Sequence, residues 1–79
     1  MTMNKARRKA IEEIIDQLGT LKEQLESIAE EEQEAFDNLP ESIQYSERGE
    51  AMSEAVSDME DATSSIDDVM STLQDIIER

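Results

Sequence analysis

Carboxylates are the reactive groups this chain carries in quantity. Its 79 residues include 21 Asp or Glu against seven Lys or Arg, for a formal charge of −14. Paired acids occur at Glu12/Glu13, Glu60/Asp61 and Asp67/Asp68. General acid–base catalysis needs one such carboxyl in a dry site that raises its pKa, and acids repeating along a helix surface offer none. Serine and threonine hydroxyls are present, but the chain has no histidine to activate them and no cysteine. Calcium loops of the Asp-x-Asp-x-Asp-Gly type are absent, and the Glu-x-x-His ligand pattern of di-iron bundles requires histidine. Glu30-Glu31-Glu32 points around a helix axis and forms no cage. The expectation is a protein without enzyme activity, metal or other cofactor.

Two sets of charged residues remain as binding candidates. The first comprises Glu12, Glu13, Asp16, Glu60, Asp61, Asp67, Asp68 and Asp75. As helix-surface rows they repeat at about 5 and 10 Å, the general scale of nucleic-acid phosphate spacing. They read either as a solubilising exterior or as a phosphate-like face for a basic surface on another protein. Steering by so strong a negative field makes such docking fast and salt-sensitive. The second set is basic: Lys5, Arg7, Arg8 and Lys9, with Tyr45 and Arg48 further on. It reads either as a helix start balanced by acids elsewhere or as a phosphate spot for a small cyclic-nucleotide signal, on which Tyr45 or Arg48 of another copy stacks. Direct duplex binding is opposed by the overall charge.

The elements that hold these residues follow from spacing. Leu, Ile, Val and Phe make up about 20% of the chain, at the compositional border of disorder, so their order decides the matter. Ile11, Ile14, Leu18, Leu21, Leu25, Ile28, Glu32, Ala35 and Leu39 alternate steps of 3 and 4, a heptad a/d pattern interrupted only by Glu32. Ile15, Ala29 and Phe36 widen the stripe to position e. Met52, Ala55, Met59, Ala62, Ile66, Val69, Leu73 and Ile76 repeat the pattern, with Val56, Thr63, Met70 and Ile77 at e. Helix 1 is predicted at about 4–38, with Thr2 or Asn4 as its cap, and helix 2 at about 46–77, capped by Ser46. Pro40 ends the first helix. The turn, 39–45, carries Leu39, Ile43 and Tyr45, expected to close the end of the core, with one helical turn starting at Pro40.

The fold expected is all-α: one domain, 1–79, in which two long helices double back as an antiparallel hairpin. The four N-terminal bases are expected beside Asp67, Asp68, Asp75 and Glu78, and Arg48 beside Glu34 and Asp37. A domain this small gains only about 3–5 kcal/mol from one core, and the apolar stripe is wider than a two-helix seam needs. Self-association is therefore expected, most simply as a dimeric four-helix bundle or else a higher helical oligomer. No apolar run is long enough to cross a bilayer or to follow the basic start as a secretory signal, so no membrane association and a cytoplasmic location are expected.

Three stretches carry a resemblance: Met3 to Ile11, Glu31 to Gln44 with its Asn-Leu-Pro-Glu-Ser-Ile-Gln turn, and Ser46 to Glu50. They resemble segments of short acidic helical proteins encoded by phages, prophages and integrative elements. The resemblance implies a mobile-element origin, and small acidic proteins of that source are often inhibitors of host defence. The leading expectation is accordingly a phage or mobile-element protein that binds and inhibits a host protein through its acidic faces, as a nucleic-acid mimic. The alternatives are a sponge for a cyclic-nucleotide immune signal and a structural coiled-coil assembly protein.

Overall fold

A computed structural model describes residues 3–79. Helix α1 spans Lys5–Asp37, the single turn α2 spans Glu41–Gln44, and α3 spans Glu47–Glu78. No strand occurs among the described residues. Asn4 caps α1: its side chain accepts from the Arg7 N–H at 2.9 Å, satisfying a donor with no partner inside the helix. The alternative cap, Thr2, lies outside the described residues. Ser46 caps α3, accepting from the Gly49 N–H at 3.5 Å, and Glu47 and Glu50 in the first turn suit the positive end of the helix dipole.

Lys22 pairs with Asp67 at 2.8 Å, and a methyl built on Gly19 would meet the Met70 Cε at 3.6 Å. One step forward on α1 therefore matches one step back on α3, and the long helices run antiparallel. The rod measures 60 × 16 × 12 Å. Its radius of gyration, 17.9 Å, compares with about 12 Å for a globular chain of this length. The core is correspondingly thin: Ala29 and Val56 are the buried hydrophobic residues, and no side chain is fully enclosed.

The turn end is the most closely fitted region. Pro40 stops α1, and its carbonyl then accepts from the Ile43 and Gln44 N–H groups at 2.8 and 3.0 Å. The Gln44 side chain reaches back to the carbonyls of Phe36 at 3.2 Å and Asp37 at 3.5 Å in the last turn of α1, the first of which also accepts from the Leu39 N–H. Gly49 is buried under this turn: a Cβ there would sit 2.6 Å from the Ile43 carbonyl oxygen and closer still to that of Gln44. Leu39 and Ile43 are half-buried, but Tyr45 is 76% exposed and does not join the closure expected of it.

The seam between the long helices differs from the a/d pairing that the spacing suggests. On α1 the shielded positions are Ile11, Ile15, Leu18, Lys22, Leu25, Ala29, Glu32 and Phe36. On α3 they include Gly49, Met52, Val56, Met59, Thr63, Ile66, Met70, Leu73 and Ile77. These are positions a and e; Ala55 and Ile76 at d on α3 and Gly19 at b on α1 are half-buried as well. The turn supplies the reason. Gly49, Val56, Thr63, Met70 and Ile77 share one face of α3, and only glycine admits the α2 backbone at its start, so seating Gly49 there rotates position e inward. Thr63 is tolerated in the seam because its hydroxyl donates to the Glu60 carbonyl at 2.7 Å. Glu32 stays half-exposed. Ile14, Leu21, Ile28 and Val69, all at position d, are left 46–54% exposed.

Candidate functional site

Among the described residues there is no enclosed cavity and no cluster of side chains able to hold a metal ion. The candidate site is therefore the outer surface, and helical geometry divides it. With a and e turned inward, position b lies on one long flank, c and f on that flank and the outer backs, and d and g on the opposite flank. Lys22 at e meets Asp67 at b, and Gly19 at b meets Met70 at e, so the b flanks of both helices share one side of the hairpin. The d flanks then share the other.

Charge follows this division. Within the two long helices, positions b, c and f hold eight acids on α1 and nine on α3, 17 of the chain's 21, with only Lys5 and Lys9 as bases. Positions d and g hold two acids, Glu31 and Asp58, and two bases, Arg7 and Arg48. All eight acids singled out by sequence are exposed. Glu12, Asp16, Glu60 and Asp67 lie toward the acidic flank, and Glu13, Asp61, Asp68 and Asp75 along the outer backs.

One member of that set is engaged. Asp67 holds Lys22, which also lies 3.7 Å from Glu26, and among the described residues these are the only ion pairs. The hydrogen bond that the Lys22 ammonium donates to Asp67 raises the Lys22 pKa above its ordinary 10.5, against partial desolvation of the ammonium. The pairings expected for the N-terminal bases and for Arg48 do not form. Register accounts for Asp67 and Asp68: Asp67 sits opposite Lys22, about 20 Å along the rod from Lys9, while Asp75 and Glu78 lie nearer that end and hold no ion pair among the described residues.

The basic set does not converge as a whole. Lys5, Arg8 and Lys9 occupy positions b, e and f on adjoining sides of α1, while Arg7 at d faces the opposite flank. Arg8 is half-buried, with its Nε shielded and without a hydrogen-bond partner. Tyr45 and Arg48 are exposed at the opposite end of the 60 Å rod. The structure thus brings the acids together on continuous surfaces and separates the bases within one chain.

Sequence reasoning missed two residues that set this geometry. Gln44 and Gly49 carry no chemical motif, and their roles depend on a backbone approach between α2 and its neighbours. The single signal was a glycine within the first turn of a strongly patterned helix, where alanine is the better former. Compared with known protein families, with characterised proteins and with solved structures, the chain finds no match.

Proposed function

We propose that this chain is a non-enzymatic binding protein of phage or mobile-element origin that acts in the host cytosol. It inhibits a host protein by laying its carboxylate surfaces against a basic, nucleic-acid-binding face. The observation that carries this reading is the segregation of 17 of 21 acids onto positions b, c and f, while the flank at d and g is left nearly neutral. A merely solubilising exterior has no need to spare one flank. The acids also lack competing partners: apart from Asp67 and Glu26, none of them is held in an ion pair among the described residues. The active form is a homo-oligomer of hairpins with its acidic surfaces outward.

The test is a binding measurement against a basic nucleic-acid-binding protein of the host, such as a defence nuclease. Docking by carboxylates weakens by about tenfold or more between 0.1 and 0.5 M salt, where the screening length falls below 10 Å. Charge reversal at Glu60/Asp61 or at Asp68 abolishes it, and Asp67 is avoided because it holds Lys22. Binding unaffected by both changes rejects the proposal.

A further inference from the structure

The acid-poor flank is the second feature of this molecule that needs an occupant. We infer that the face formed by positions d and g of both long helices is a self-association surface, and that its occupant is a second copy of this chain. The inference rests on the homo-oligomeric reading above and assigns it a surface.

The register places this face as one strip. Gly19 against Met70 and Lys22 against Asp67 set a register that brings Ile14 within one residue of the level of Ile76, Leu21 of Val69, and Ile28 of Ala62. The strip contains a ladder of aliphatic side chains in which Ile14, Leu21, Ile28 and Val69 are 46–54% exposed in the single chain, Ala62 is exposed and Ile76 is half-buried. The chain exposes 5957 Å², whereas a globular protein of 9.0 kDa exposes about 4,900 Å². The excess, about 1,000 Å², is on the scale of the ~800 Å² each partner buries in a stable interface. The rod's broad face, 60 by 16 Å, is large enough to supply it.

Charge selects the occupant. Two molecules at −14 repel, so copies can meet only where acids are scarce, and this flank is the one long surface that meets that condition. A cationic partner would be drawn instead to the acidic flank. The neighbours of the ladder, Gln17 and Gln24, are uncharged and suit a rim that is partly desolvated by an identical surface. Apolar side chains from four helices then enclose one core, with carboxylates outside.

Sedimentation equilibrium with circular dichroism tests this, on the wild type and two variants. Leu21→Glu/Ile28→Glu puts four charges into the interface of a symmetric pair, and Gln17→Glu/Gln24→Glu adds like charge at its rim with little change in helix propensity. The wild type is expected near 18 kDa, twice 9.0 kDa, with a dissociation constant that falls about tenfold between 0.05 and 1 M NaCl as repulsion is screened. The first variant is expected to weaken association about a hundredfold or more, and the second about tenfold, with helicity retained in the second. A wild type at 9 kDa in 1 M NaCl overturns both the surface and the homo-oligomeric reading. A wild-type dimer that neither variant disturbs overturns the surface alone. The opposite salt dependence of host docking keeps the two interactions distinguishable.

Discussion

The two apolar stripes of this rod run side by side and differ in what covers them. The stripe at a and e is closed within the chain, and Val56 in it is 5% exposed. The parallel row at d leaves Val69 49% exposed. Hydrophobicity cannot explain the difference, because the inward row admits Lys22, Glu32 and Thr63 while the row at d is Ile, Leu, Val and Ala apart from Arg7 and Arg48 at the helix starts. The turn can. Gly49 seated beneath α2, with Gln44 clamped to the end of α1, fixes the rotation of α3 at its start. A short, closely fitted connection thus determines which apolar row faces inward and which remains for another molecule.

The strongest way to break this comparison is to place one charge in each row. Val56→Asp buries a carboxylate without a partner and is expected to cost about 3 kcal/mol or more, enough to unfold a hairpin this small. Val69→Asp, measured on dilute protein by urea titration, is expected to cost the single chain under about 1 kcal/mol. Equal losses would mean that the two rows are equally buried and the rotation is wrong.

The two glycines sharpen the contrast with opposite signs. Gly49→Ala forces a methyl into the α2 backbone and is expected to destabilise by about 1–3 kcal/mol. Gly19→Ala finds ordinary van der Waals contact with Met70 and removes a helix penalty, so it is expected to stabilise by about 1 kcal/mol. Thermal unfolding of both variants reads the difference. A Gly49→Ala protein as stable as the wild type would remove the turn as the source of the rotation.

The smallest effect is at Lys22. Its proton is held more tightly in the fold than in the unfolded chain, so its contribution is complete below pH 10.5 and is lost as pH rises through the higher folded value. Urea midpoints of wild type and Lys22→Met are expected to differ slightly at pH 8 and to converge above that value. Midpoints that stay apart would assign the difference to packing rather than to the Asp67 pair.

The long helices were legible in the sequence because steps of 3 and 4 run through both, interrupted only at Glu32, with Asn4, Ser46 and Pro40 as end signals. The turn of helix after Pro40 was legible for the same local reasons. The choice of a and e over a and d was not, because Ile14 and Ile15, or Val69 and Met70, are adjacent and equally apolar. Only the contact of Gly49 with α2 separates them, and that contact is not local. The ion pairs were misassigned because they follow from register: a shift of one turn changes which acid faces which base. The carboxylate surfaces were legible as a set, but their confinement to one flank and the outer backs became visible only once the seam was known. The basic residues looked like one set in sequence, but Arg7 at d faces away from Lys5, Arg8 and Lys9, and Tyr45 and Arg48 lie at the far end of the rod.

Cysteine labelling tests the division of the two stripes most directly, since the chain has no cysteine of its own. Single-cysteine variants Val56→Cys and Leu21→Cys are treated with a maleimide over a series of protein concentrations. The account predicts slow labelling of Cys at 56 at every concentration. At 21 it predicts slow labelling in concentrated protein and at least about tenfold faster labelling on dilution, as the second copy leaves. Rapid labelling at 21 at all concentrations, or equal rates at both positions throughout, would contradict it.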